Sequence, residues 1–350
     1  MRTVGFGVIG CGNIGPTHAE ATSQVPGAQL VAVSDVRLAR ARKLAEQYGA
    51  IAYSDYRRLL DCPDVQAVCL CVPSGMRLEV ALECIAAGKH VLCEKPLEVT
   101  TARADRIIQA AEDAGVILAC VFQSRFTEAA RLVKQAVEQG RFGRLVLGNA
   151  YVKWFRSAQY YKSAAWRGTR KLDGGGCLMN QGIHMIDLLL WLLGNPRSVQ
   201  AVTRTVAHRG LEVEDLATAT IEFVNGAIGT IEGSTAIYPG RPAQVGIYGN
   251  QGSVVIEDGQ IVSWDFLRPW PAGQRKARAL MGQESQVGSA SGDPMKNLKI
   301  GGHALVIKDL VQAILYGRQP FVPGCEGRRA VALIEAIYKS AAHGGRLVRL

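Results

Sequence analysis

The stretch Thr3-Val4-Gly5-Phe6-Gly7-Val8-Ile9, running into Gly10-Cys11-Gly12-Asn13-Ile14-Gly15, decides the reading of the fold. Thr3 to Ile9 is apolar and partly β-branched, which predicts a buried strand. The next six residues spell GxGxxG, and Pro16 to Thr22 then predicts a helix with proline at its start. Alone, the glycine pattern is weak. Between a strand and a helix it has the setting of a dinucleotide-binding turn. The first glycine permits the tight turn, the second lets the backbone approach a pyrophosphate, and the third lets helix pack on strand. The helix N-terminus faces the anion. Gly10, Gly12, Asn13, Ile14 and Gly15 are therefore candidate cofactor residues.

Working outward, Gln29 to Ser34 predicts a second strand, ending at Asp35, twenty residues after Gly15. A carboxylate there accepts hydrogen bonds from an adenosine ribose and repels a 2′-phosphate, which favours NAD over NADP. Arg37 and Arg40 stand close enough to complicate that choice, and Arg37 joins the cofactor set. Leu38 to Tyr48 has helical spacing and ends at Gly49. Val65 to Val72 is a continuous apolar strand, so Val72 and Pro73 join the cofactor residues at its end. Arg77 to Ala87 and Thr101 to Ala114 predict helices; His90 to Cys93 and Val116 to Phe122 predict strands. Uniformly apolar strands alternating with helices predict a doubly wound parallel sheet, the Rossmann arrangement, over residues 1–122.

Residues 123–350 read differently. Leu145–Trp154, Ser198–Thr205, Ala217–Phe223, Ala227–Ser234, Gln244–Gly249 and Gly252–Glu257 are strand candidates, several separated by turn pairs such as Asn225-Gly226. This predicts an α/β domain on a largely antiparallel, open-faced sheet. Helices are expected at Gly176–Leu193, His303–Leu315 and Gly327–Ala342, and a long loop at Trp270–Gly302.

Composition narrows the classes. The charge is +10, yet no basic run of five residues exists and aromatics are 7%, which favours anionic small molecules over nucleic acid. No apolar run has the ~20 residues of a membrane span. The nine cysteines form no CxxC pair, so they are expected to be reduced core thiols of a cytoplasmic protein. No His/Cys/Asp/Glu grouping has metal-ligand spacing, and no metal is expected.

Glu94-Lys95-Pro96 follows the strand His90–Cys93, at the sheet edge where parallel sheets bind ligands, so Glu94 and Lys95 also join the candidate cofactor residues. Lys95 could hold a substrate hydroxyl and stabilise a developing alkoxide. The segments VGFGVIGCGNIG, AGKHVLCEKPL and GGGCLMNQGIHMIDLLLWLLG (Gly174–Gly194) together resemble the Gfo/Idh/MocA oxidoreductase family, which includes glucose-fructose oxidoreductase and inositol dehydrogenase. Tyr160-Tyr161 with Trp166-Arg167-Gly168-Thr169 resembles the branch acting on sugars and nucleotide-linked sugars. The resemblance implies that Lys95 and His184 are catalytic, and that the Lys95–Pro96 bond is cis. It places Asn180 where inositol dehydrogenases have Asp. Arg77 departs from the family, which often has His there. A homodimer or homotetramer through the open sheet face is also implied.

Asn180, His184 and Asp187 are spaced to share one helical face in an otherwise apolar helix, so they must line a cavity or bond internally. His184 suits the base that takes a hydroxyl proton, with Lys95 orienting that hydroxyl, or itself the alternative base. Asn180 would hold a neighbouring hydroxyl. Asp187 would orient His184 or bond backbone. Gln123, Arg125, Arg156, Tyr160, Trp166 and Arg167 are candidate substrate residues for carboxylate, diphosphate or hydroxyl groups. His303 is a further candidate, whereas His18, His90, His208 and His343 have no such setting. The expected function is hydride transfer between NAD(P) and a secondary alcohol or ketone of a sugar, sugar nucleotide or cyclitol, with the active site in an interdomain cleft. The alternatives are an NAD-dependent, redox-assisted glycosidase and a non-catalytic cofactor-sensing regulator.

Overall fold

The computed structural model describes residues 2–283 and 301–350. The chain divides into two compact units, Met1–Gln123 with Ile300–Arg328, and Ser124–Lys299 with Arg329–Leu350.

In the first unit β1 (Val4–Ile9), α1 (Gly15–Gln24), β2 (Ala28–Ser34), α2 (Leu38–Tyr48), β3 (Ile51–Tyr53), α3 (Tyr56–Leu60), β4 (Ala67–Leu70), α4 (Arg77–Ala86), β5 (His90–Cys93), α5 (Thr101–Asp113) and β6 (Leu118–Cys120) follow in turn. The sheet order is β3-β2-β1-β4-β5-β6 and every pairing is parallel. All six residues of β1 are buried, as a strand covered on both faces requires. Helix α2 closes on Gly49, whose φ of 66° needs no Cβ relief. The sequence reading has no counterpart for β3. It is three residues long, lies at the sheet edge and shows no fully buried side chain, so no pattern marks it.

In the second unit α6 (Glu128–Glu138), β7 (Leu145–Lys153), α7 (Ala158–Lys162), α8 (Ile183–Leu193), β8 (Pro196–Arg204), β9 (Leu216–Phe223), β10 (Ile228–Ser234), β11 (Gln244–Gly249), β12 (Gly252–Glu257), β13 (Gln260–Phe266) and α9 (Pro271–Leu280) follow. With β14 (Val348–Arg349) they form an eight-stranded sheet ordered β13-β12-β11-β7-β10-β9-β8-β14. Only β7 with β10 is parallel; the other pairings are antiparallel. Along β9 buried Ala217, Ala219, Ile221 and Phe223 alternate with exposed Thr218, Thr220 and Glu222, so one face is open. Helix α8 packs against β7 and β11. Helix α6 was not expected, although Ala129, Leu132, Val133 and Ala136 are buried at helical spacing.

The expected loop at 270–302 is corrected in its first part. Pro271 to Leu280 is helical, with proline at the start and buried Gly273 and Ala277 on one side. Residues 284–300 lie outside the described residues.

The expected boundary at 122/123 is crossed later in the chain. α10 (Gly301–Tyr316) packs on α1 and on the β1 and β2 side of the first sheet. The Val322 carbonyl accepts the Cys120 N–H, which adds a backbone tie to β6. α11 (Gly324–Ala342) and β14 (Val348–Arg349) follow, and β14 pairs with β8. No helix of the described residues is long and apolar enough to cross a membrane. Because Leu310 on α10 is fully buried, Leu310→Ala should cost about 2–5 kcal/mol by urea unfolding.

Candidate active site

The glycine turn is built by close approach. Gly10 has φ of 98°, and a Cβ there would lie 2.7 Å from the Cys71 carbonyl oxygen. A Cβ at Gly15 would collide with the Gly10 carbonyl oxygen, whereas one at Gly12 meets nothing within 4 Å. The turn therefore opens onto free space at Gly12, beside an α1 N-terminus with no side-chain cap. These two features suit a pyrophosphate. Asp35 sits where β2 ends; its Oδ2 accepts the Cys11 N–H at 2.9 Å and its Oδ1 the Arg37 N–H at 2.8 Å. The carboxylate is thus aimed by the backbone and keeps acceptor capacity for ribose hydroxyls. Asn13 and Arg37 are exposed, and Ile14, Val72 and Pro73 are half-buried around the turn. All lie at the C-terminal ends of parallel strands, next to the β1/β4 switch in strand order.

Lys95 is half-buried beyond β5, and its bond to Pro96 is cis. Arg77 explains how this segment is held. Its Nη1 donates to the carbonyls of Glu94 (2.8 Å) and Pro96, and its Nε to that of Val72 at 3.3 Å. The departure at Arg77 is therefore a buried clamp on both flanks of Lys95. Glu94, expected to touch cofactor, is buried instead. Its Oε2 accepts the Lys95 N–H at 3.0 Å and its Oε1 the His18 Nε2–H at 2.8 Å. His303 Nε2 lies 3.4 Å from the same Oε1, and the two imidazoles meet edge to face. The sequence marks no site at His18, because its helical position carries no signal of a partner 76 residues away.

Burial alone would raise the Glu94 carboxyl, but the two histidines hold it well below the usual carboxylate range. Burial pushes His18 below the ordinary histidine value. The ligand-type atoms of His18, Glu94 and His303 lie within 4.8 Å of one another. The 2.8 Å His18–Glu94 separation is nonetheless a hydrogen bond, shorter than the about 3.3 Å between ligands of a tetrahedral zinc. Neither Nδ1 has, among the described residues, the acceptor that orients a metal-bound imidazole.

In the second unit, the helix expected at Gly176–Leu193 is two windings. Cys177–Gly182 is a π-helical segment and α8 begins at Ile183. The wider winding carries Asn180, so Asn180 and His184 do not follow one α-helical stripe. Glu214 secures the start of the segment: its Oε2 accepts the Gly176 N–H at 2.9 Å, and its Oε1 the Leu178 N–H at 3.0 Å and the Tyr338 hydroxyl at 2.8 Å. Asn180 Nδ2 donates to Asp173 Oδ1 at 2.7 Å, and Asp173 Oδ2 also accepts the Gly168 N–H. His184 is half-buried one helical step into α8.

The bonds shown at Asp187 are to a side chain far back in the chain. Asp187 is buried and receives Arg125 in two parallel bonds, Nε to Oδ2 at 2.8 Å and Nη2 to Oδ1 at 2.6 Å. Arg125, expected at substrate, is 1% exposed, and this pair resists rotation of α8. Gln123 lies at the end of the first unit and is half-buried.

The remaining candidates meet one another. Arg167 Nη1 donates to the Tyr160 hydroxyl at 2.6 Å, and Gln181 Nε2 does so at 3.1 Å. Arg167 stacks on Tyr160 and Trp166, and buried Arg156 on Trp154 and Tyr160. His208, likewise unmarked in the sequence, joins the Asp215 carboxylate (2.9 Å) to the Arg156 carbonyl (2.7 Å). The arrangement offers aromatic faces with guanidinium groups, suited to polyhydroxylated or anionic ligands.

Burial, then the Asp35 carboxylate, pushes the Cys11 thiol up to about 12. Cys325 is exposed. Iodoacetamide between pH 7 and 9 should label Cys325 within minutes and leave Cys11 unmodified, as peptide mass mapping will show.

The comparisons agree with this layout. Residues 4–122 match the oxidoreductase family with an NAD-binding Rossmann fold, and residues 130–255 match the GFO/IDH/MocA C-terminal domain. Myo-inositol 2-dehydrogenase of Thermotoga maritima is 31% identical over 72% of this chain and 75% of its own. D-glucoside 3-dehydrogenase of Escherichia coli is 33% identical over 66% and 70%. The WlbA dehydrogenase of Bordetella pertussis, solved with NADH and UDP-GlcNAcA, aligns with a TM-score of 0.88 and 33% identity over 100% of this chain and 98% of its own. A glycine turn, a clamped lysine and these matches over both units make this chain a member of the Gfo/Idh/MocA family of NAD(P)-dependent oxidoreductases.

Proposed function

We propose that the protein is an NAD-dependent dehydrogenase or ketoreductase acting on a secondary alcohol of a sugar, sugar nucleotide or cyclitol. The observation that carries the reading is Lys95. It stands at the same C-terminal sheet edge as the glycine turn, two strands from β1, with its flanking carbonyls bonded to Arg77. When bound, the nicotinamide supplies the acceptor for the carbinol hydride. The chain's own residues manage the proton and the orientation. Lys95 holds the reacting hydroxyl and favours its alkoxide by charge. His184 takes the hydroxyl proton, as a histidine near neutrality can. Asn180, fixed through Asp173, holds a neighbouring hydroxyl. Arg156, Tyr160, Trp166 and Arg167 favour a substrate with hydroxyls and an anionic group, in keeping with the uronate nucleotide of the WlbA complex. The Asp35 carboxylate, held by two backbone N–H groups, favours NAD over NADP.

We also infer a homodimer or homotetramer. Leu147, Val202 and Ile228, on the open face of the second sheet, are each 39–50% exposed.

The test is reduction of NAD⁺ and NADP⁺ against a panel of UDP-sugars, UDP-sugar uronates, free pyranoses, glycosides and inositols. A substrate that reduces NAD⁺ should lose all measurable turnover in Lys95→Ala while NADH still binds. Lys95→Ala turnover within a few-fold of native removes the catalytic assignment. His184→Ala should lower kcat by about 100-fold or more and remove the acid limb of the pH profile. Asp35→Ala should raise the Kd for NADH about tenfold and narrow the NADH/NADPH preference, read by nicotinamide fluorescence.

A further inference from the structure

Among the buried titratable groups that the mechanism leaves unused, one lies beside Lys95. His18 from α1, Glu94 after β5 and His303 from α10 come from three distant parts of the chain and meet at a single carboxylate oxygen. Their side chains are 0%, 5% and 4% exposed. An anion buried so deeply is costly unless hydrogen bonds surround it. Here Oε1 faces two imidazole N–H groups and Oε2 takes the Lys95 N–H. Arg77 supplies the nearby positive charge without bonding to the carboxylate, since its Nη1 is spent on the Glu94 and Pro96 carbonyls. The thiols of Cys69, Cys71 and Cys93 also face Glu94, and burial raises each of them, so they add no charge. One full negative charge is therefore fixed one residue from Lys95.

We propose that His18, Glu94 and His303 are positioning residues for Lys95: the two histidines hold the Glu94 carboxylate against the Lys95 backbone, and that carboxylate keeps the Lys95 ammonium charged and aimed. This rests on Lys95 acting on the substrate hydroxyl. It adds a route from the cofactor turn to the lysine, because His18 rides on the helix that begins at Gly15. It also gives α10 a role, because that helix returns to the first unit carrying His303.

The test reads Lys95 directly and needs no substrate. Lysines are reductively methylated with ¹³C-formaldehyde, and the Lys95 resonance is assigned by its loss in Lys95→Ala. Glu94→Gln keeps the shape and an acceptor for the Lys95 N–H but removes the charge. Losing an anion within several ångströms lowers the titration midpoint of an amine, by about one pH unit. A Lys95 midpoint unchanged to within about 0.2 of a unit overturns the proposal. NADH fluorescence on the same samples reports that the first unit is folded. A second pair of variants is independent of Glu94→Gln. His18→Leu should displace the Lys95 resonance, and His18→Gln, whose amide reaches the place of Nε2, should restore at least half of the displacement. Identical resonances in the two overturn the part given to His18. The catalytic reading fails separately, through turnover that survives in Lys95→Ala.

Discussion

A Cβ at Gly10 would stand 2.7 Å from the Cys71 carbonyl oxygen, and one at Gly15 would strike the Gly10 carbonyl. Backbone against backbone is the condition on which the first unit's site is built. With no side chain between them, β1 and the segment after β4 come close enough for the turn to face a pyrophosphate. The start of α1 is then pressed onto the same edge. Everything placed around that edge inherits the position: Asp35 through the Cys11 N–H, Arg77 through the Val72 carbonyl, and Lys95 through Arg77.

The second unit solves a different problem, that of presenting polar side chains from an apolar helix. Its answer is buried pairing. Asp187 takes Arg125, Glu214 takes the N–H groups that the winding at Cys177–Gly182 leaves open, and Asp173 takes Asn180. Each pair satisfies a group whose burial alone would cost several kcal/mol. The half-buried His184 is set by these neighbours, because the helix that carries it cannot turn or slide without breaking them.

Much of this was legible in the sequence where local pattern and chemistry coincide. GxGxxG between a strand and a helix, Asp35 at the next strand end, and the helix ending at Gly49 all follow from short-range rules. So does the alternation along β9. What was not legible depends on partners far along the chain. His18 and His208 looked idle because their acceptors, Glu94 and Asp215, belong to other elements. Arg125 looked like a ligand-binding arginine because nothing local shows that Asp187 will claim it. The winding at Cys177–Gly182 is missed for a related reason: composition cannot tell a π turn from an α turn. β3 is only three residues long, and α9 buries only Gly273 and Ala277, too small to mark an apolar face.

The return of Ile300–Arg328 to the first unit has a consequence for biosynthesis. Residues 124–299 must leave the ribosome before α10 can cover α1 and bring His303 to Glu94. At about 5–20 residues per second that interval is roughly 10–35 s. During it the parallel sheet can pair, but one flank of α1 stays bare and the Glu94 carboxylate lacks one of its two imidazoles. Over that window the nascent unit exposes a face that is later buried, and the setting of its lysine is completed only once α10 has emerged.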